Sequence, residues 1–247
     1  MKYKPAILIL LAIGFLLNAC QFNLSSNGKV KVVHQEKPDL KPVDKTVFLD
    51  VGCDWQSDNF AVCTDESAFK KMGCDSITTT SEFLSLLNPQ VPIVTCNYAP
   101  FLKDPADEQA EGVYQQGCLS PQLIRYVVAQ DGNYQLIQNI SGLQEIFAPI
   151  ENEQEALAYA IAATGYQANY DFDATQDLRY LVDELPETKV DAVTDGFEVL
   201  LYDYQFCGCG PHTHFISKVK VFFDGSIQKS DPIPAYEDPE QDGLCID

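Results

Sequence analysis

Residues 190–228 read VDAVTDGFEVLLYDYQFCGCGPHTHFISKVKVFFDGSIQ, and the placing of turn residues within this stretch decides the fold. Val190 to Val193 and Phe197 to Phe206 are apolar segments joined by Thr194-Asp195-Gly196, a turn of the composition that closes hairpins. Thr213 to Phe223 and Ser226 to Gln228 repeat the pattern across Asp224-Gly225. Upstream, Asn152 to Gly165 carries the marks of a helix. Asn152 is placed to cap it and Glu155 follows three residues later. Leu157, Ala160, Ile161 and Thr164 form a stripe before Gly165 ends it. Consecutive hairpins preceded by such a helix predict an α+β fold: an antiparallel sheet of hairpins with a covering helix.

Further toward the N-terminus, Leu123 to Ala129 and Tyr134 to Ile140 flank Gln130-Asp131-Gly132-Asn133, another hairpin signal. Ser141-Gly142-Leu143-Gln144 predicts a capped short helix, and Gln176 to Glu184 a second one. Thr46 to Val51 and Val91 to Tyr98 read as short buried strands. Asp65 to Met72 reads as a helical turn. A capping box over Thr79 to Glu82 opens a further apolar turn, Phe83 to Leu87. The helix followed by a meander resembles cystatin-like and PepSY-like domains in outline. No motif is shared, and the resemblance implies no function.

The first residues follow a different rule. Lys2 and Lys4 precede an apolar run from Pro5 to Leu17, closed by Leu17-Asn18-Ala19-Cys20. A basic start, a short apolar stretch and a small residue before the cut make a secretory signal. The run falls short of the roughly 20 residues a membrane-spanning helix needs. Its ending resembles the bacterial lipobox, which implies a cleaved signal peptide over residues 1–19 and lipid on Cys20. Gln21 stands where many inner-membrane lipoproteins carry Asp, so the resemblance implies the outer membrane. Residues 20–45 are then the lipidated cysteine and a polar, flexible tether. His34 lies in that tether and is given no role. Residues 46–247 form the expected single compact unit, with a cysteine-rich half (46–120) and a half of helix and hairpin sheet (121–247).

Charge narrows the partners. Lys2 and Lys4 fall before the cut, which leaves 14 Lys and Arg against 36 Asp and Glu, a net charge of −22. Phosphate-rich surfaces require the opposite sign, so nucleic acid is excluded as an expected partner. The expected contacts are the membrane, through the lipid, and an envelope protein.

Apart from Cys20, eight cysteines remain: Cys53, Cys63, Cys74, Cys96, Cys118, Cys207, Cys209 and Cys245. An even count in an exported chain predicts disulfides, since the compartment is oxidising. Five of the eight lie between Cys53 and Cys118. Full pairing within the chain therefore requires at least one bridge to the distant Cys207, Cys209 or Cys245, and such a bridge would staple the two halves together.

One short segment concentrates chemistry: Cys207-Gly208-Cys209-Gly210-Pro211-His212-Thr213-His214. Residues two apart on a strand share a face, so His212 and His214 are expected to converge. With Cys207 and Cys209 they would offer sulfur and nitrogen ligands to copper or zinc. The competing readings are disulfides with histidines in local hydrogen bonds, and a redox or nucleophilic cysteine. No G-x-S-x-G, H-E-x-x-H, G-x-G-x-x-G or P-loop occurs, and no catalytic residue is assigned. The expectation is a membrane-anchored cell-envelope lipoprotein, a non-enzymatic binding or structural module without a cofactor. The alternative is a copper- or zinc-binding envelope protein.

Overall fold

Asp131 and Gly132 both adopt positive φ, 51° and 76°. Paired left-handed residues match the twist of two flanking strands, so the Gln130–Asn133 turn closes a tight hairpin. Around it the chain builds the first of two antiparallel sheets in a computed structural model that describes residues 30–246. Strand β1 (Lys31–Val33) opens the described chain. The first sheet follows, from β2 (Cys53–Ser57), β3 (Phe60–Cys63), β4 (Ser76–Thr79), β5 (Ile93–Tyr98), β6 (Tyr114–Gln116), β7 (Gln122–Gln130) and β8 (Asn133–Ile137). Its order is β2-β3-β4-β5-β7, with β6 and β8 sharing the far edge of β7. Helix α1 (Ala68–Lys71) lies between β3 and β4, and α2 (Ile140–Phe147) and α3 (Glu153–Thr164) follow β8.

The second sheet draws on β9 (Arg179–Tyr180), β11 (Lys189–Val193), β12 (Gly196–Tyr204), β14 (Thr213–Phe222), β15 (Ile227–Lys229) and β16 (Ile233–Glu237). Its order is β11-β12-β14-β16-β9, with β15 beside β16 on the free edge of β14. Two small ladders complete the fold. Strand β10 (Glu184–Pro186) pairs with β1 in parallel, and β13 (Gly208–Cys209) pairs with β17 (Cys245–Ile246). The protein is thus a mixed α and β, disulfide-rich molecule with four bridges.

The main core gathers α3 with residues of both sheets. Ile93, Tyr126 and Val128 come from the first, and Val199, Leu201 and Val219 from the second. The Tyr126 hydroxyl donates to the Ala162 carbonyl at 3.0 Å, tying the first sheet to the helix backbone. From Ala156 to Ala163 every α3 residue is buried, and Ala158, Ala160 and Ala162 are fully enclosed. Small side chains on the helix let both sheets approach it. Both sheets are covered on their outer faces too. Phe48, Phe69, Ile77, Val94 and Val127 pack around Cys53–Cys63 and Cys74–Cys96. Val30, Leu185, Leu200, Tyr202 and Tyr236 form the other outer cluster. Burial on two faces shows at β5, where all six residues are buried, the polar Thr95 and Asn97 among them.

Three expectations differ from the structure. Thr46 to Val51 is not a strand: Thr46–Phe48 is a 3₁₀ turn, with Asp44 accepting from the Thr46 amide and hydroxyl. Only Phe48 of its apolar residues is enclosed, while Val47 and Leu49 face solvent, so a single anchor replaces a buried run. Gln176 to Glu184 forms no helix. Arg179 is drawn instead to Glu237 and Asp242, and its segment pairs as β9 with β16. The third concerns the segment read as a tether. Residues 30–45 are built into the domain through β1, through Leu40 and Val43 on the main core, and through His34 on Glu187. The remainder of that segment, with Cys20 and residues 1–19, lies outside the described residues.

Candidate functional site

The cysteine and histidine segment lies where β12 ends and β14 begins. Each of its cysteines is half of a disulfide, Cys118–Cys207 and Cys209–Cys245. In this oxidised form neither sulfur is a thiolate, and a metal could use them only after reduction. Pairing Cys209 with Cys245 reinforces the β13–β17 ladder and holds the acidic C-terminal segment against the domain.

The histidines are brought to one side, both against Tyr204, with ring centroids 6.1 Å away for His212 and 4.3 Å for His214. Their environments differ. His212 is buried, and its two ring nitrogens lie 3.0 Å from the Gln205 carbonyl oxygen and 3.1 Å from that of Leu244. A carbonyl only accepts, so making both bonds at once requires two N–H groups. His214 is stacked between Tyr204 and Tyr236, with centroids 4.3 and 4.4 Å away. The register explains the stack, because His214 stands opposite Tyr204 on one side and Tyr236 on the other. Burial holds the His214 pKa below its ordinary value, and the Asp238 charge opposes that shift. Among the described residues no group of three or more His, Cys, Asp or Glu is arranged to hold a metal ion.

A cleft of about 710 Å³ opens beside this segment, where the last turn of α3 meets β6, the end of β12 and β15. Its edge is set by the Cys118–Cys207 bridge, since Gly117 and Phe206, the chain neighbours of the two cysteines, both line it. Gly165 sits at its floor with φ of 73° as the left-handed residue that ends α3. A Cβ there would come within 2.4 Å of the Tyr114 ring, so only glycine admits the ring at this position. The walls are Tyr114, Tyr166, Tyr204 and Phe206, interleaved with the amides of Gln115 and Gln167. Tyr204 and Phe206 stack at 6.2 Å, and Lys229 Nζ lies 5.7 Å from the Tyr166 ring centroid.

Burial raises the pKa of Tyr114, Tyr166 and Tyr204, with the Asp203 charge adding to it at Tyr166 and that of Asp238 at Tyr204. These hydroxyls therefore stay protonated at neutral pH, and that of Tyr204 already donates to Gln241 Oε1. Rings, amides, one carboxylate (Asp203) and one ammonium (Lys229) are groups that hold and orient a ligand. The cleft lies within the size range of small-molecule sites. Past Gly117 and Cys118 it continues into a second recess, where Leu119 is 81 % exposed.

Sequence reading located the cysteines that frame the cleft but not the cleft itself. Tyr114, Gly165, Tyr204 and Lys229 are distant in the chain, and no local pattern marks them as neighbours. Comparison with protein-family models, curated proteins and solved structures finds no match for this chain.

Proposed function

We propose that this chain is a cell-envelope lipoprotein, anchored in the outer membrane through lipid on Cys20. Its disulfide-stapled domain acts as a non-enzymatic binding module for another envelope component. The address rests on the order of residues 1–20: basic start, short apolar run, Leu17-Asn18-Ala19-Cys20. Four disulfides support an oxidising compartment. The observation that carries the binding half of the reading is the aromatic and amide-lined cleft beside Cys118–Cys207. With it goes a finer reading of the fold, in which β11, β12, β14, β15 and β16 supply the sheet of hairpins and α3 is its covering helix.

The test is acyl labelling and fractionation of cells producing the full chain. Wild type is expected to incorporate a clickable palmitate analogue and to sediment with the membranes. Cys20→Ser is expected to stay unlabelled and to be released. Unchanged membrane retention of Cys20→Ser would overturn the lipid anchor. A turnover activity abolished by His212→Ala would replace binding with catalysis.

A further inference from the structure

The chain contains two arginines, Arg125 and Arg179, and their forks stand in opposite states. Arg179 is saturated by carboxylates: Nη1 donates to Glu237 Oε2 at 2.6 Å and Nη2 to Asp242 Oδ2 at 2.7 Å. Arg125, on the central strand β7, is only 6 % exposed. Its Nε donates to the Glu111 carbonyl at 2.6 Å, and its guanidinium carbon lies 4.3 Å from the Tyr98 ring centroid. Among the described residues neither Nη1 nor Nη2 has a hydrogen-bond or ion-pair partner. Neither nitrogen is among the fully enclosed unpaired polar atoms, so the free edge of this otherwise buried side chain opens to solvent, where an acceptor can reach it.

None of the carboxylates around it pairs with the guanidinium, and Asp107 and Glu111 each hold another donor through one oxygen and keep the second free. Asp107 accepts from the Tyr98 hydroxyl at 2.8 Å, and Glu111 Oε2 accepts from Asn139 Nδ2 at 2.7 Å. Asp75 takes Lys70 at 2.8 Å, Lys103 at 2.5 Å and the Ala99 amide at 2.9 Å. The guanidinium instead faces a recess of about 380 Å³ whose rim carries Lys71, Gln109, Glu111 and Gln138. Gly73 keeps the approach open. Its φ is +94°, and a Cβ there would lie 2.9 Å from Arg125 Nη1.

We propose that Arg125 is the floor of a carboxylate-binding subsite, taking the α-carboxylate of an amino acid or of a peptide terminus. A planar pair of oxygens with a single charge matches the fork. A phosphate would place a second negative charge beside Asp107 and Glu111, in a chain of net charge −20. The same two side chains suit the ammonium or N–H that accompanies an α-carboxylate, and Lys71 adds a cation at the entrance. This subsite is separate from the aromatic cleft and does not depend on lipid at Cys20.

With two arginines, ¹⁵N-arginine labelling of the full chain yields two Nε–H signals, and Arg179 is the internal control. The titrants are sodium acetate, triglycine and sodium phosphate, each against sodium chloride at matched ionic strength. The Arg125 signal is expected to shift saturably with acetate and triglycine while Arg179 stays fixed. Tighter binding of triglycine than of acetate assigns a peptide terminus; equal affinity assigns a free carboxylate. Arg125→Lys keeps the charge and loses the fork, and should weaken acetate binding about tenfold, whereas Arg179→Lys should not. Gly73→Ala, which crowds Nη1 without removing the arginine, should weaken it in the same direction, with circular dichroism checking the fold of each variant. An Arg125 signal that moves only as it does with chloride would overturn the subsite. Preference for phosphate over acetate would overturn the carboxylate.

Discussion

Glu187 follows β10 as an enclosed carboxylate, its side chain 1 % exposed, and three donors account for it. The Gln35 amide reaches it at 2.7 Å, the Phe172 amide at 2.9 Å and His34 Nδ1 at 2.9 Å. Two of the three belong to the N-terminal strap, so this one side chain holds residues 31–35 to the domain. Burial alone would raise its pKa. The amides of Gln35 and Phe172, with the His34 ring, outweigh burial and hold it below the ordinary value of 4.5. A depressed carboxylate pKa gives stability that is complete above 4.5 and lost as pH falls through the lower folded value. Glu187→Gln should loosen the strap by about 2 kcal/mol at neutral pH, read as faster amide exchange over Lys31–Val33. Acidification below pH 4.5 should loosen wild type in the same place and change the variant little. Equal protection in both proteins at neutral pH would show that the strap is held by β1–β10 pairing alone. Leu-Pro-Glu-Thr gives no local sign of this role, because two of the three partners of the side chain lie about 150 residues away.

Helix α3 was legible in considerable detail. Asn152 caps it, accepting from the amides of Gln154 and Glu155, and Glu155 in return accepts from the Glu151 amide at 2.8 Å. Gly165 ends it in the left-handed conformation. Asn152→Ala should cost about 1 kcal/mol in denaturant unfolding. A neutral result would mean that packing by both sheets, rather than the cap, sets where the helix begins. The stripe of Leu157, Ala160, Ile161 and Thr164 described only part of its environment, since Ala156, Ala158 and Ala162 are just as enclosed. Alanine is ambiguous in a sequence because it fits an exposed helix face and a crowded one equally. The cap of α3 is local and could be read directly, whereas the turn expected to open on a capping box at Thr79 is capped by Ser81, and α2 by Asn139 rather than Ser141. The pairing of β9 and the 3₁₀ turn at Thr46–Phe48 depend on distant partners and could not be read.

Across the whole molecule, Cys118–Cys207 is the bridge between the two halves, closing a separation of 89 residues. In the chain-entropy model a loop of that length is worth about 4.6 kcal/mol. The paired variant Cys118→Ser/Cys207→Ser should lose roughly that much in guanidinium unfolding, and should still unfold in one transition because both sheets share the α3 core. Two separate transitions would show that the halves are independent units joined by the disulfide. Odd parity among five cysteines required a bridge between the halves but did not say which, because pairing depends on Cα separations that only the folded chain sets. The sequence by itself determined the mixed α and β character, the ends of α3 and the disulfide-rich chemistry. These follow from turn residues, caps and composition, which act over a few neighbours. Tertiary structure alone decided which cysteines pair, that both sheets meet on α3, where the aromatic cleft opens, and that the Arg125 fork opens into a recess. Each of these is a relation between side chains far apart in the chain, created only when burial of apolar surface brings the two sheets together.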